Sequence, residues 1–342
     1  MSAHARSSVE RGALAYEAIR LAFIPWQRER RLAKERERVN AARVSSRVIA
    51  GGASHSLALR RDSRVACWGR NHPSVFPTNF GDQLRFNTPR HGNAPPDSVN
   101  GDFVMVAAGQ WHSLALRRDG RVACWGRNND GQAPPDGVEG DFVAVAAGMR
   151  HSLALRRDGR VACWGENEFG QAPPDGVNGD FVMVAAGHWH SLALRRDGRV
   201  ACWGNNAHGQ APPDGVEGDF VAITAGCIHS LALRRDGTIA CLGLNDDDQA
   251  PPHGVDGDFV AIAANAFHSL ALRRDGGIAC WGRNDDGQAP PDGVDGDFVA
   301  IAAGCRHSLA LRRDGNIACW GRNNDGRAPP DGVTGPFTMQ EL

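Results

Sequence analysis

Lysine is almost missing from this chain: Lys34 stands alone among 38 basic residues, the rest being arginine. A nucleotide bias in the genome accounts for that, so no function is read from it. Aromatic residues are scarce, at 7%. No apolar run reaches the roughly 18 to 20 residues that a membrane-spanning helix needs. Net charge is missing too, with 38 basic side chains against 39 acidic ones. No nucleophile elbow, phosphate loop or metalloprotease motif is present. These absences leave a non-catalytic globular chain as the expectation, with no cofactor and no metal. What is abundant is turn chemistry. Forty-two Gly and 19 Pro are too many for a helical protein.

The balance of charge hides an asymmetry. Residues 1–43 carry ten basic and five acidic side chains, a net of +5, and residues 44–342 carry 28 and 34, a net of −6. The body has no bulk electrostatic case for nucleic acid. The start is not a secretory signal, because its apolar stretch ALAYEAIRLAFI contains Glu17 and Arg20. Glu10 and Glu17 argue against a mitochondrial presequence. The segment QRERRLAKERERVNAARV, residues 27–44, is a strong helix former with interleaved charge. It is expected to be a basic helical leader, with a partner-binding arm or a nuclear-import signal as the sharper alternatives.

The rest is one unit repeated. HSLAL begins at His55, His112, His151, His190, His229, His268 and His307. Five intervals are 39 residues, and the first is 57, which is 39 plus an 18-residue insertion. The units are 44–100, 101–139, 140–178, 179–217, 218–256, 257–295 and 296–334, and GPFTMQ of the remaining 335–342 matches the opening of an eighth. Within a unit, FVAVAAG, HSLALRR and RVACWG read as short strands, and RRDGR carries the Asp-Gly signal of a hairpin turn. The APPDGV segment that follows is excluded from any central strand by its prolines. That segment could supply only a short outer edge strand, so each unit is a three- or four-stranded antiparallel meander, which alone exposes its faces and edges. Seven in a ring bury each sheet between two neighbours. The fold class expected is all-β, a seven-bladed β-propeller over 44–342 behind a short helical leader at 1–43. The tail should lie beside unit one and seal the ring.

AAGxxHSLAL, DGRVACWG and NxxGQ resemble the repeats of the RCC1-like seven-bladed propellers. The resemblance covers 44–342, with units closer to the compact propellers typified by a bacterial β-lactamase inhibitor protein. It implies an interaction scaffold. Members of that family include guanine-exchange factors for a small GTPase, modules of large ubiquitin ligases and inhibitor proteins.

Differences between copies point to a binding face. The GxxH turn and the NxxG loop share one end of the meander, called here the variable face. RRDG and VxGD share the other. The GxxH interiors include Gln110-Trp111, Met149-Arg150, His188-Trp189 and Ala266-Phe267, and the third NxxG loop carries Phe169. Large aromatics at turn tips, with arginine between them, match the composition of binding hot spots. Trp111, Arg150, Phe169, His188, Trp189 and Phe267 are therefore candidate partner contacts. The insertion, 71–93, adds Phe76, Phe80, Arg85 and Phe86 on the same face. Opposite lie seven Arg pairs, from Arg60-Arg61 to Arg312-Arg313. A ring of arginine suggests phosphate, but turn and VxGD aspartates at the same end nearly balance it.

The recurring His and Cys sit 12 residues apart in each unit, too far for a local zinc motif. The cysteines read as small buried hydrophobes. The histidines are expected to bond backbone of their own or the next blade. An odd total of nine Cys, one equivalent per blade, favours a reducing compartment. Cys227 and Cys305, in variable turns, are expected to be accessible thiols. The six Trp of ACWG should be buried between sheets, and Trp111 and Trp189 more exposed. Unit five departs from the pattern, with Leu242 in place of Trp and Asp248 in place of the loop Gly, and should be the most weakly packed.

The expectation for function is a monomeric protein-interaction scaffold, cytoplasmic or else nuclear, whose partner is another protein. The rivals are an exchange factor for a small GTPase and a substrate adaptor in ubiquitin ligation. A ligase needs a further domain with an active cysteine, and eight residues after the last unit are too few for one.

Overall fold

The computed structural model describes residues 47–70 and 99–337, and of the leader only Ala33. The remainder of the leader, the 71–93 insertion and residues 338–342 lie outside the described residues. The described part is all-β: seven three-stranded antiparallel sheets, each in sequence order. In the third sheet the inner strand is Phe142–Ala147, the middle strand His151–Arg156 and the outer strand Val161–Gly165. The Pro-rich return adds only a one-residue bridge to each outer strand, as Val138 does on Val122.

The middle strand of blade three is buried at every residue from His151 to Leu155, because its sheet is covered on both faces. The Leu-Ala-Leu alternation uses the two-residue period of a strand. Leu153 and Leu155 pack with Phe181, Val184 and Ala193 of blade four. Ala154, facing the other way, meets Leu114, Leu116 and Val122 of blade two. One face of each blade is bulky and the other is small, so the blades stack head to tail.

That stack closes on itself. Leu309 and Leu311 of blade seven pack with Val48, Ile49 and Ala58 of blade one, and Phe337 joins the same cluster. Arg61 donates its backbone N–H to the Pro336 carbonyl at 2.9 Å, the bond Arg118 makes to Asp102 in blade two. Gly335-Pro336-Phe337 thus does for blade one what Gly101-Asp102-Phe103 does for blade two, as its sequence likeness implies.

Hydrogen bonds reinforce each seam. The histidine Nε2 of every blade lies 2.9–3.0 Å from the serine Oγ of the next: His112 to Ser152, His151 to Ser191, and on to His307 and Ser56. Ser152 in turn donates its hydroxyl to the Gln132 carbonyl of blade two. With that proton spent, the histidine must donate from Nε2, which leaves Nδ1 unprotonated. The expected backbone partner is replaced by this serine hydroxyl. A side chain can cross the seam, whereas the neighbouring strands' backbone is already used in their own ladders. Six of the seven turns hold glycine at the first position, where the same closeness leaves little room, and blade six holds Asn265 there. A Cβ on Gly109 would lie 2.5 Å from the Gly148 carbonyl and from the His112 ring.

The ACWG tryptophans are only half-buried, except Trp125. Trp111 and Trp189 are half-buried as well, so the expected contrast in exposure is not found. Trp164 donates Nε1–H to the Gln132 carbonyl across the seam, and Trp203, Trp281 and Trp320 repeat this on Gln171, Gln249 and Gln288. Trp164→Ala should therefore cost about 3 to 5 kcal/mol, as truncation of a large packed ring does. Trp111→Ala, at a turn tip, should cost less. Urea midpoints of the two variants check this. Blade five lacks the bond because Leu242 replaces Trp. Its Asp248 also takes φ 60° in a slot where other blades hold glycine, a left-handed conformation that side chains disfavour.

Candidate functional site

The two ends of the propeller have different chemistry. On the RRDG face the arginine pairs are engaged. In blades two to five and in blade seven the first of the pair lies over the phenylalanine that opens its own blade, as Arg156 does over Phe142 at 5.0 Å and Arg312 over Phe298 at 4.8 Å. The second reaches an aspartate: Arg118–Asp102, Arg157–Asp141, Arg196–Asp180, Arg235–Asp219, Arg274–Asp258 and Arg313–Asp297 are all within 2.8–3.0 Å. Strand alternation sends the two side chains different ways, and in blades two to five and seven both find a partner within the fold.

The variable face is built from three positions per seam. Two were visible in the sequence. The third, the residue after each WG, was missed: Arg127, Glu166, Asn205, Leu244, Arg283 and Arg322 occupy it in blades two to seven. Each donates its backbone N–H to the carbonyl of the second GxxH residue, as Arg127 does to Trp111 and Leu244 to Ile228. The signal was available, since this position varies between copies as freely as the turn interior does.

Of the candidate residues, Trp111 has the Arg127 guanidinium over its ring at 5.1 Å and that of Arg150 at 6.0 Å. Arg150 pairs with Glu166 at 3.5 Å. Burial pushes the Glu166 carboxyl above its usual range, against the pull of Arg150. In the next seam Phe169 meets Trp189 edge-on at 6.3 Å, and His188 meets Trp189 at 5.6 Å. Phe169 is 47% exposed, the one large hydrophobic so placed among the described residues. The contacts thus join Trp111 to Arg150, and Phe169 to Trp189 and His188. Glu166 and Phe169 lie in the same loop and bridge the two groups. Phe267, on blade six, instead stacks with Arg283 at 5.1 Å. Phe76, Phe80, Arg85 and Phe86 lie outside the described residues.

Of the two turn cysteines, Cys227 differs from expectation and Cys305 is half-buried. Cys227 is buried, with its Sγ 2.8 Å from His188 Nδ1. Burial raises the Cys227 thiol to about 12 and lowers His188 to about 4, so the pair is neutral and the thiol is no nucleophile. Cys305 is pushed up to about 11, again by burial. Among the described residues no group of three or more His, Cys, Asp or Glu is placed to hold a metal ion.

Six segments, residues 47–72, 103–132, 142–171, 181–210, 259–288 and 298–327, match the family model for the Regulator of chromosome condensation (RCC1) repeat. The chain belongs to the RCC1 repeat family. The matched segments skip blade five, whose Leu242 and Asp248 break the repeat. Protein pim1 of Schizosaccharomyces pombe is 34% identical over 85 residues, 23% of this chain and 16% of that protein. The probable E3 ubiquitin-protein ligase HERC4 of Homo sapiens is 37% identical over 84 residues, 23% of this chain and 7% of that one. The chain therefore matches less than a fifth of the length of either relative. In fold it is similar to Prp20p of Saccharomyces cerevisiae, with a TM-score of 0.57 and 24% identity over 70% of this chain and 77% of that one. That structure was described together with binding to Gsp1p and histones.

Proposed function

We propose that this RCC1-repeat propeller is a non-catalytic scaffold that captures a protein partner through its GxxH/NxxG face. The observation that carries the reading is Phe169 standing exposed against Trp189, at a loop position where the other NxxG loops hold Asp or His. Aromatics left in water contribute little to folding. Buried in a partner, such residues are worth about 2 kcal/mol or more each. The RRDG face supports the choice by contrast, because in blades two to seven the second arginine of each pair is held by an aspartate of the fold. Relatives bearing these repeats include a probable ubiquitin ligase, and a similar fold is linked by its description to Gsp1p and histones. A GTPase or a component of ubiquitin ligation are accordingly the first partners to assay. Nine unpaired cysteines support a reducing compartment, cytoplasmic or nuclear.

Changing Trp111, Phe169 and Trp189 together to Ser should abolish partner capture in affinity purification and leave the melting temperature nearly unchanged. Unchanged capture by this variant, with loss on reversing Arg117, Arg156 and Arg195, moves the site to the other face and overturns the reading.

A further inference from the structure

The variable face follows a rule that the separate contacts do not show. In three seams, the second residue of one blade's NxxG loop reaches the GxxH turn or the WG-flanking residue of the next blade. Asp286 reaches Arg306 at 3.4 Å, Asp247 reaches Arg283 at 3.5 Å, and Phe169 reaches Trp189. The seam between blades two and three carries Arg150 and Glu166, that between five and six Asp247 and Arg283, and that between six and seven Asp286 and Arg306. Those tips spend their charges on each other.

Two neighbouring seams carry no such pair. The seam between blades three and four presents Phe169, Trp189 and Asn205. By the same rule, the seam between blades four and five presents His208, Ile228 and Leu244. The turns of blades four and five are joined by the His188–Cys227 pair, neutral as shown above. Ile228 and Leu244 are half-buried, and the blade-four loop, which reads NNAHG, brings the exposed His208 as its one ring and no apolar side chain larger than Ala207. One apolar sector of the ring is thus left open. At its far edge the blade-five loop brings Asp246, Asp247 and Asp248. Asp247 is used by Arg283, while Asp246 and Asp248 are exposed and have no ion pair among the described residues.

We propose that the partner is seated on the sector formed by Phe169, Trp189, Ile228 and Leu244, and that it offers an aromatic or branched aliphatic anchor followed by Lys or Arg. The inference rests on the variable face being the binding face, and it narrows that face to blades three to five. The apolar tips select the anchor, because burying such side chains is favourable only against apolar groups. The aspartates at the edge select the basic flank and repel an acidic one, which governs specificity and encounter rate more than affinity. Trp111, held between its own arginines, is peripheral on this account.

Panning a random peptide phage library against the full chain tests it. Enriched peptides should combine Trp, Phe, Leu or Ile with Lys or Arg. Their binding should fall at least about tenfold in Leu244→Ser and in Phe169→Ser, the scale of one lost hot-spot contact. It should fall less in an Asp246→Asn/Asp248→Asn variant, together with a weaker dependence on salt. Melting curves of each variant separate lost binding from lost folding. Acidic peptides, or peptides that need Trp111 and Arg150 but not Leu244, sink this proposal and leave the broader reading standing. Peptides indifferent to every variable-face substitution sink both. A concentration-dependent dimer in sedimentation, abolished by Leu244→Ser, gives the sector to a second copy of the chain and overturns the basic-partner assignment.

Discussion

Acidification from pH 7 to 4.5 should unfold the propeller cooperatively. The seven seam histidines are fully buried, and burial holds His55 and His268 at about 4, His112, His151, His190 and His229 at about 3, and His307 well below its ordinary value. A second proton would have to sit on Nδ1, which has no acceptor among the described residues in any of the seven. In the unfolded chain these groups titrate near 6.5. Between the two values the unfolded state binds more protons. Their contribution to stability is therefore complete above about pH 6.5 and is lost as the pH falls toward the folded values. Once the pH is well below 6.5, each histidine removes about 1.4 kcal/mol per pH unit, and seven together about 10. That rivals the whole stability of a typical domain, about 5 to 15 kcal/mol. Urea midpoints measured across this range should fall steeply. The slope should correspond to several protons taken up on unfolding. A midpoint that stays level from pH 7 to 5 contradicts the account. So does a His151→Gln variant that keeps the full slope.

Loss of the tail should be the most damaging short truncation. Phe337 is buried in the seam between blades seven and one and lies 6.4 Å from the Trp68 ring. Phe337→Ala should cost about 3 to 5 kcal/mol, the range for large-to-small changes in a core. Deleting 335–342 should do more, because it also removes the Pro336 carbonyl that receives Arg61 and bares the Leu309–Leu311 face of blade seven. A ring opened there loses the cooperativity that closure provides, so the melting transition should broaden as well as shift. A sharp transition at the original temperature would falsify the closing role.

How much of this was legible beforehand follows from where the information lies. The repeat declared its strands, because Val, Ala, Leu and Cys at a two-residue period beside Asp-Gly turns leave little else for a short segment to be. Seven copies declared the ring, and GPFTMQ announced its seal. The variable face could be placed because a residue that only one copy carries cannot serve what all copies share. Contacts between blades were not legible. The serine after each histidine looked like one more strand residue until the next blade brought it to Nε2. The residue after each WG escaped notice because its partner lies 16 positions back and meets it only through strand pairing. The turn cysteines looked accessible because a variable position suggests a surface, yet His188 of the neighbouring blade covers Cys227. By itself the sequence settled what each blade is, since local period and turn chemistry act within a few residues. Tertiary structure alone decided what blades do to each other: which protons the histidines hold, which tryptophans carry a bond, and which seams spend their charge. Those outcomes depend on distances between residues about one repeat apart, and no single copy of the repeat encodes them.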